Sequence, residues 1–277
     1  MSRGRIVHWN PRKRILPGPL GKILRLGPRV NNFGDLLGPE VVSRSARLLG
    51  VDTLANPSND LLAIGSIMHF ARTGATVWGT GVNGKMDPRL HTFSDLDVRA
   101  VRGPRTRQFL QQRGIHVPPV FGDPGLLVRR LWRDDELLAH RTESPPVAIV
   151  PNLNDLPYFN ESDPRVVDPR GPLDEILARI RWSDLVVASS LHGLIVAHSF
   201  GVPTVMLRPR SESLFKYEDY FSGVGQDLPA LADDAEAAIR MQASPALEWS
   251  GDPLLEAFPI DLFSASNPRW GRKEVAT

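Results

Sequence analysis

The chain has 277 residues, 42% of them hydrophobic and 23% charged, with a formal net charge of +2 and no cysteine. This is long for one domain and sufficient for two, and it excludes disulfides, thiolate metal sites and cysteine nucleophiles. So small a charge points to no nucleic-acid partner, and no apolar run approaches the length of a membrane span.

The N-terminal stretch MSRGRIVHWNPRKRILPGPLGKILRLGPR is basic but broken by Trp9, Pro11, Pro17 and Pro19. It lacks the uninterrupted apolar segment of a secretory leader, which predicts a cytoplasmic protein. Arg12, Lys13, Arg14, Lys22, Arg25 and Arg29 read as a solvated basic arm. The alternative is peripheral contact with an anionic membrane surface.

Short apolar or β-branched runs follow at 5–9, 61–68, 75–81 and 98–103, and again at 147–152, 185–190 and 204–208. Continuous apolar runs of this length predict parallel strands covered on both faces. Helical spacing occupies 34–50, 104–114, 173–183 and 191–201, with glycine at several of the ends. Alternation of strand and helix predicts an α/β protein. The stretch 131–147, LWRDDELLAHRTESPPV, is charged and then proline-rich, so it predicts a linker between two α/β halves, 1–138 and 139–277. Beyond Gly225 the pattern turns to short helices and proline-rich joints with no clear strand. Segment 230–242 is expected to pack on the second half, and 267–277 to be loose.

Several segments carry candidate chemistry. NNFGDLL (31–37) sets Asn31, Asn32 and Gly34 around Asp35 at a helix start. Asp35 either caps that helix or points into a cleft. GTGVNG (79–84) matches G-x-G-x-x-G in letters, but Pro88 opposes the helix that a dinucleotide fingerprint needs, so the segment predicts a loop lining a ligand cleft. Asp95 and Asp97 form a D-x-D pattern, read as a polar loop and not a metal site. In VRGPRT (101–106), Arg102 ends a strand and Pro104 opens a helix. Basic residues there oppose the helix dipole unless an anion is present, which makes Arg102 a candidate anion ligand. Asp123 in FGDPGLL reads as a turn cap and as a weaker site candidate.

The stretch VVASSLHGLIVAHSF (186–200) places Ser189, Ser190 and His192 where a buried strand meets a helix. Either serine can cap the helix. His192 then sits in the first turn, where the dipole favours neutral imidazole suited to moving a proton. His198 shares a stripe with Leu194 and Ile195 and reads as packed, and the two histidines point to different faces, so no shared metal is expected. Lys216, among the aromatics of LFKYEDYF, is either an exposed lysine or a third cation at the same cleft.

NNFGDLL, AIGSIM, VWGTGV, VRGPRT, FGDPGLL, VVASSLHGLIVAHSFGVPTVML and KYEDYF occur in an order that resembles the polysaccharide pyruvyltransferase family, from about Asn31 to about Gly225. The resemblance implies two Rossmann-like domains facing across a cleft, GT-B-like, with the acceptor on the N-terminal side and the donor on the C-terminal side. It implies transfer of pyruvate from phosphoenolpyruvate, a co-substrate and not a cofactor, to a sugar or lipid-linked oligosaccharide as a ketal. On that basis His192 is the expected general acid/base, and Asp35 a second base or acceptor-orienting group. Ser190 and the helix N-terminus would hold phosphate or carboxylate, with Arg102 and Lys216 adding positive charge. Asn32, Ser189 and Asp123 complete the substrate-binding candidates, and no metal is required. The competing readings are a glycosyltransferase using a nucleotide sugar and a non-catalytic glycan-binding relative.

Overall fold

The computed structural model describes residues 4–13, 27–51 and 56–264. Arg14, Lys22 and Arg25 of the basic arm lie outside the described residues, as does 267–277.

Two four-stranded sheets, each wholly parallel and each in sequential strand order, make up the α/β fold. The first contains β1 (Ile6–Val7), β2 (Leu61–Leu62), β3 (Thr76–Trp78) and β4 (Asp97–Ala100). The second contains β5 (Val147–Val150), β6 (Leu185–Ala188), β7 (Thr204–Leu207) and β8 (Leu231–Ala232). The runs VAIV, LVVA and TVML are apolar at almost every position because both faces of β5, β6 and β7 are covered. β8 was expected to be irregular. It is only two residues long, too short to leave a period in the sequence.

The helices that bear on the site are α1 (Phe33–Leu48), α2 (Pro104–Gln111), α3 (Val128–Leu131), α4 (Asp134–Leu138), α5 (Leu173–Arg181), α6 (Leu191–Phe200) and α7 (Phe215–Gly223). α6 is apolar around most of its circumference, as a helix enclosed by other elements must be. It stops at Gly201, whose φ of 71° forms the left-handed cap. After β8 come α8 (Ala235–Arg240), α9 (Asp252–Glu256) and α10 (Asp261–Ser264).

The two sheets share one apolar core. Phe33, Leu37 and Trp78 from the first half join Val150, Leu194 and Tyr220 from the second in a single buried cluster. The expected linker is only partly a linker. Trp132 and Leu137 are buried, with the Trp132 indole N–H donating to Asp174 and the Arg44 guanidinium stacked on its ring, so free chain is confined to about 139–146. α8 packs on β7, as expected for 230–242. The chain then returns to the first half. Leu254 accepts a hydrogen bond from the Trp78 indole at 2.8 Å, Arg99 pairs with Asp261 at 2.9 Å, and Ser58 N–H donates to Leu262 at 2.8 Å.

Candidate active site

A cavity of about 650 Å3 lies between the halves. Its walls come from the segments that leave β1, β2, β3, β5, β6 and β7 at their carboxyl ends, together with the start of α1. That is where open parallel sheets place ligands. Asn32, Asp35, Ser190, His192 and Lys216 all line it. The structure therefore gathers five of the eight sequence candidates on one cavity wall.

His192 is the second residue of α6. Ser190 caps this helix, its hydroxyl accepting from Gly193 N–H at 3.2 Å. The imidazole lies against α1, where a Cβ on Gly34 would sit 2.2 Å from His192 Nδ1, so only glycine leaves room for the ring. Nε2 is buried without a hydrogen-bonding partner among the described residues, as is Asp123 Oδ2. The two atoms are 3.9 Å apart, too far for a direct hydrogen bond. The His192 pKa is lowered to about 3, by burial first and then by the charges of Lys216 and Arg102. The neutral imidazole expected from the helix end is thus set mainly by burial and by two cations.

Asp123 caps the turn that follows it, Oδ1 accepting from Gly125 N–H at 2.9 Å. Its other oxygen points to His192. Burial raises the Asp123 pKa to about 7, against the lowering effects of that backbone bond and of Arg102. Asp35 does not cap α1; Asn32 occupies the cap position, and its amide donates to Asp35 Oδ2. Burial raises the Asp35 pKa to about 6, opposed by the Asn32 hydrogen bond and by Lys216. His192, Asp35 and the neighbouring Asp123 are thus each shifted towards the uncharged form, whereas Glu212 on the cavity wall is shifted towards the charged one.

Lys216 is buried on the cavity wall and not exposed on a helix face. Its ammonium pairs with Glu212 at 3.1 Å, and the other Glu212 oxygen takes Lys85 at 2.5 Å. Burial lowers the Lys216 pKa despite that partner. Glu212 and Lys85 were not anticipated. Glu212 lies four residues before Lys216, and Lys85 directly follows the GTGVNG loop, so both carried a spacing signal.

Arg102 is placed differently from the anion-ligand expectation. It is fully buried and absent from the cavity wall. Its guanidinium pairs with Asp219 of α7 at 2.9 Å and donates to Ser66 Oγ at 2.7 Å and to Val82 O at 2.8 Å. Asp219 also accepts from the Thr106 amide at 2.9 Å and the Thr106 hydroxyl at 2.7 Å. The anion that the start of α2 called for is therefore internal: Asp219, supplied by the other half of the chain, caps α2. Arg102 still acts on the cavity through Ser66, which lines it, and through its charge on His192.

Ser189 and Ser190 face different spaces, as successive residues leaving a strand do. Ser190 lines the large cavity. Ser189 lines a smaller one, and its hydroxyl accepts from Asn152 N–H at 3.0 Å. His198 packs structurally, bonded to the Tyr220 hydroxyl at 2.8 Å and to Thr204 at 3.0 Å. Asp97 is engaged by Arg99 at 2.7 Å and by Thr76 at 3.1 Å on β4.

Comparison with known proteins matches residues 60–211 to the family model described as polysaccharide pyruvyl transferase. The succinoglycan biosynthesis protein ExoV of Rhizobium meliloti (strain 1021) is 28% identical over 185 residues, 61% of this chain and 55% of that protein. The chain thus spans about half the length of this curated relative. The crystal structure of an uncharacterized protein from Klebsiella pneumoniae subsp. pneumoniae NTUH-K2044 aligns with a TM-score of 0.38 and 13% identity over 69% of this chain and 83% of that one.

Proposed function

The chain belongs to the polysaccharide pyruvyl transferase family, and from that membership we propose that it moves pyruvate from phosphoenolpyruvate to a sugar of a surface polysaccharide or its lipid-linked precursor, as a ketal. The observation that carries this reading is the gathering of His192, Lys216 and Asp35 around one cavity, with each titratable group shifted by its surroundings. The two sheets are read as the two halves of a GT-B-like arrangement, with the acceptor on the Asp35 side and the donor on the Ser190–His192 side. The relative's role in succinoglycan biosynthesis is compatible with a glycan acceptor.

Phosphoenolpyruvate carries a phosphate and a carboxylate. Lys216, Lys85 and the first turn of α6 present cationic and N–H groups to such an anion. The same charge also sets the state of His192. The imidazole is neutral because Lys216 and Arg102 oppose its protonation. An arriving polyanion offsets both cations and lifts the imidazole pKa towards the range of a useful acid. Asp123 Oδ2 stands where it can support the imidazolium.

The bonds then balance as follows. His192 gives a proton to the methylene carbon, leaving an oxocarbenium-like centre at the second carbon. One sugar hydroxyl attacks that carbon, with Asp35 taking its proton and Asn32 holding the carboxylate. The carbon–oxygen bond to phosphate breaks, and a second hydroxyl attacks and returns its proton to His192, while the proton held by Asp35 passes to the departing phosphate. One proton stays on the new methyl group and the other leaves with inorganic phosphate. Enclosure between the halves keeps water from the reactive centre.

Thermal unfolding of the purified chain with phosphoenolpyruvate, a nucleotide sugar and NADH in parallel tests the donor. A rise in Tm with phosphoenolpyruvate alone, lost in Lys216→Met, supports the proposal. A rise with the nucleotide sugar and none with phosphoenolpyruvate replaces it with glycosyl transfer.

A further inference from the structure

Ser189 lines a second, smaller cavity of about 220 Å3 over the carboxyl edge of the second sheet. The same three segments build both cavities. After β5, residues 152–154 face the large one, whereas Asp155 and Tyr158 face the small one. After β7, Arg208 and Arg210 line the small cavity, and Glu212 and Lys216 the large. The wall between them is stiff. Asp155 is buried and accepts from the amides of Arg210 at 3.3 Å and Ser211 at 3.0 Å, while the Asn154 amide donates to Glu212 at 3.2 Å.

The lining of the small cavity restricts what fits it. Tyr158 is 60% exposed, unusual for a large aromatic, and the Arg210 guanidinium lies 4.8 Å from its ring centroid. Arg165 is held by Asp163 at 2.7 Å and Glu236 at 2.9 Å, and Arg208 by Asp233 at 2.9 Å. Five carboxylates and three guanidinium groups line the space. The carboxylates outnumber the cations, and two of the three cations are already neutralised, so a phosphate or nucleotide gains little there. What remains is an aromatic ring, with Arg210 over it, bordered by planar donors and acceptors. That chemistry suits an uncharged ring carrying many hydroxyl groups. The volume is below the ~300–1,000 Å3 of sites that enclose drug-sized ligands, which fits one ring and not a chain.

We propose that this second cavity is a carbohydrate subsite, binding one sugar ring of the acceptor glycan beyond the unit that is modified. The inference rests on the acceptor being a glycan, as read above. It implies an acceptor of several sugars whose modified unit lies on the Asp35 side and whose remainder crosses the Asn154–Asp155 wall onto the second half.

Amide hydrogen exchange of the full chain tests it, with methyl β-D-glucopyranoside, ADP and inorganic phosphate as separate probes. The glycoside is expected to slow exchange at 155–160 and 208–210, and Tyr158→Ala to weaken that protection by roughly tenfold in concentration, about 1.4 kcal/mol. Asp233→Asn, on the surface, serves as a second variant with the same expected direction. Protection there by ADP or phosphate in place of the glycoside overturns the proposal. So does glycoside protection confined to the large cavity, protection unchanged in both variants, or no protection at all. No phosphoenolpyruvate is present, so a failure of pyruvyl transfer leaves this readout untouched.

Discussion

Nε2 of His192 and Oδ2 of Asp123 face each other at 3.9 Å, both buried and neither with another partner among the described residues. The gap is too long for a bond, and each group is displaced towards neutrality, the imidazole to about 3 and the carboxyl to about 7.

Asp123→Asn preserves the cap to Gly125 through its amide oxygen and removes the titrating group. In the wild type the folded pKa of about 7 lies above the ordinary carboxyl value of 3.8. This group therefore favours the fold most at low pH, and that contribution is lost as pH rises from about 4 through about 7. The variant escapes this loss. Urea unfolding at pH 5 and pH 8 is expected to show the variant gaining stability relative to wild type at the higher pH, while turnover falls. An unchanged difference at both pH values rejects the assignment.

Gly34→Ala separates packing from chemistry. Alanine in a helix interior normally adds about 1 kcal/mol over glycine. Here the added Cβ would meet His192 Nδ1 at 2.2 Å and displace the ring. Displacement by about 1 Å costs on the order of 100-fold in rate. Turnover is expected to drop by that order, with circular dichroism unchanged. Full activity in this variant would mean that His192 does no chemistry.

Arg102 and Asp219 are both completely buried, on different halves of the molecule. Removing one partner of such a pair costs about 3–5 kcal/mol, whereas replacing both with apolar residues is often close to neutral. Arg102→Ala is expected to unfold several kcal/mol more easily in chemical denaturation. Arg102→Met with Asp219→Leu should recover much of that loss, limited by the cap that Asp219 gives Thr106. A single variant as stable as wild type contradicts this account.

Glu212 sits between Lys85 and Lys216. Glu212→Gln removes its charge and leaves the geometry in place. Phosphoenolpyruvate is expected to bind several-fold more tightly and with steeper dependence on salt, as more net positive charge meets the anion. Titration calorimetry at two ionic strengths measures both. Weaker binding would show that Glu212 touches the ligand directly.

The parallel sheets were legible because VAIV, LVVA and TVML are buried on both faces, and the capping of α6 because Ser190 precedes a helix that ends at Gly201. His192, Ser190, Lys216, Asn32 and Asp35 were legible as residues out of place in a plain core or turn. Arg102 was misread, although its physical premise held. A helix start flanked by arginines does need an anion, but Asp219 lies 117 positions away in sequence, and no local pattern connects the two. Asp123 carried a turn signal and only a weak site signal, because its relation to His192 exists only after folding. The two adjacent serines line different cavities, which the capping pattern alone does not predict.

The return of residues 252–264 to the first half also bears on how the molecule is made. Trp78 belongs to the first sheet, yet its indole N–H is satisfied by Leu254, and Phe258 packs against its ring at 4.9 Å between centroids. On a ribosome releasing the chain from the N-terminus, β3 emerges some 170 residues before the segment that closes over it. The first sheet is therefore fully covered only once residues 252–264 have been made. A stop codon placed before Leu254 would spare every candidate catalytic residue and still leave the first half with an uncovered tryptophan.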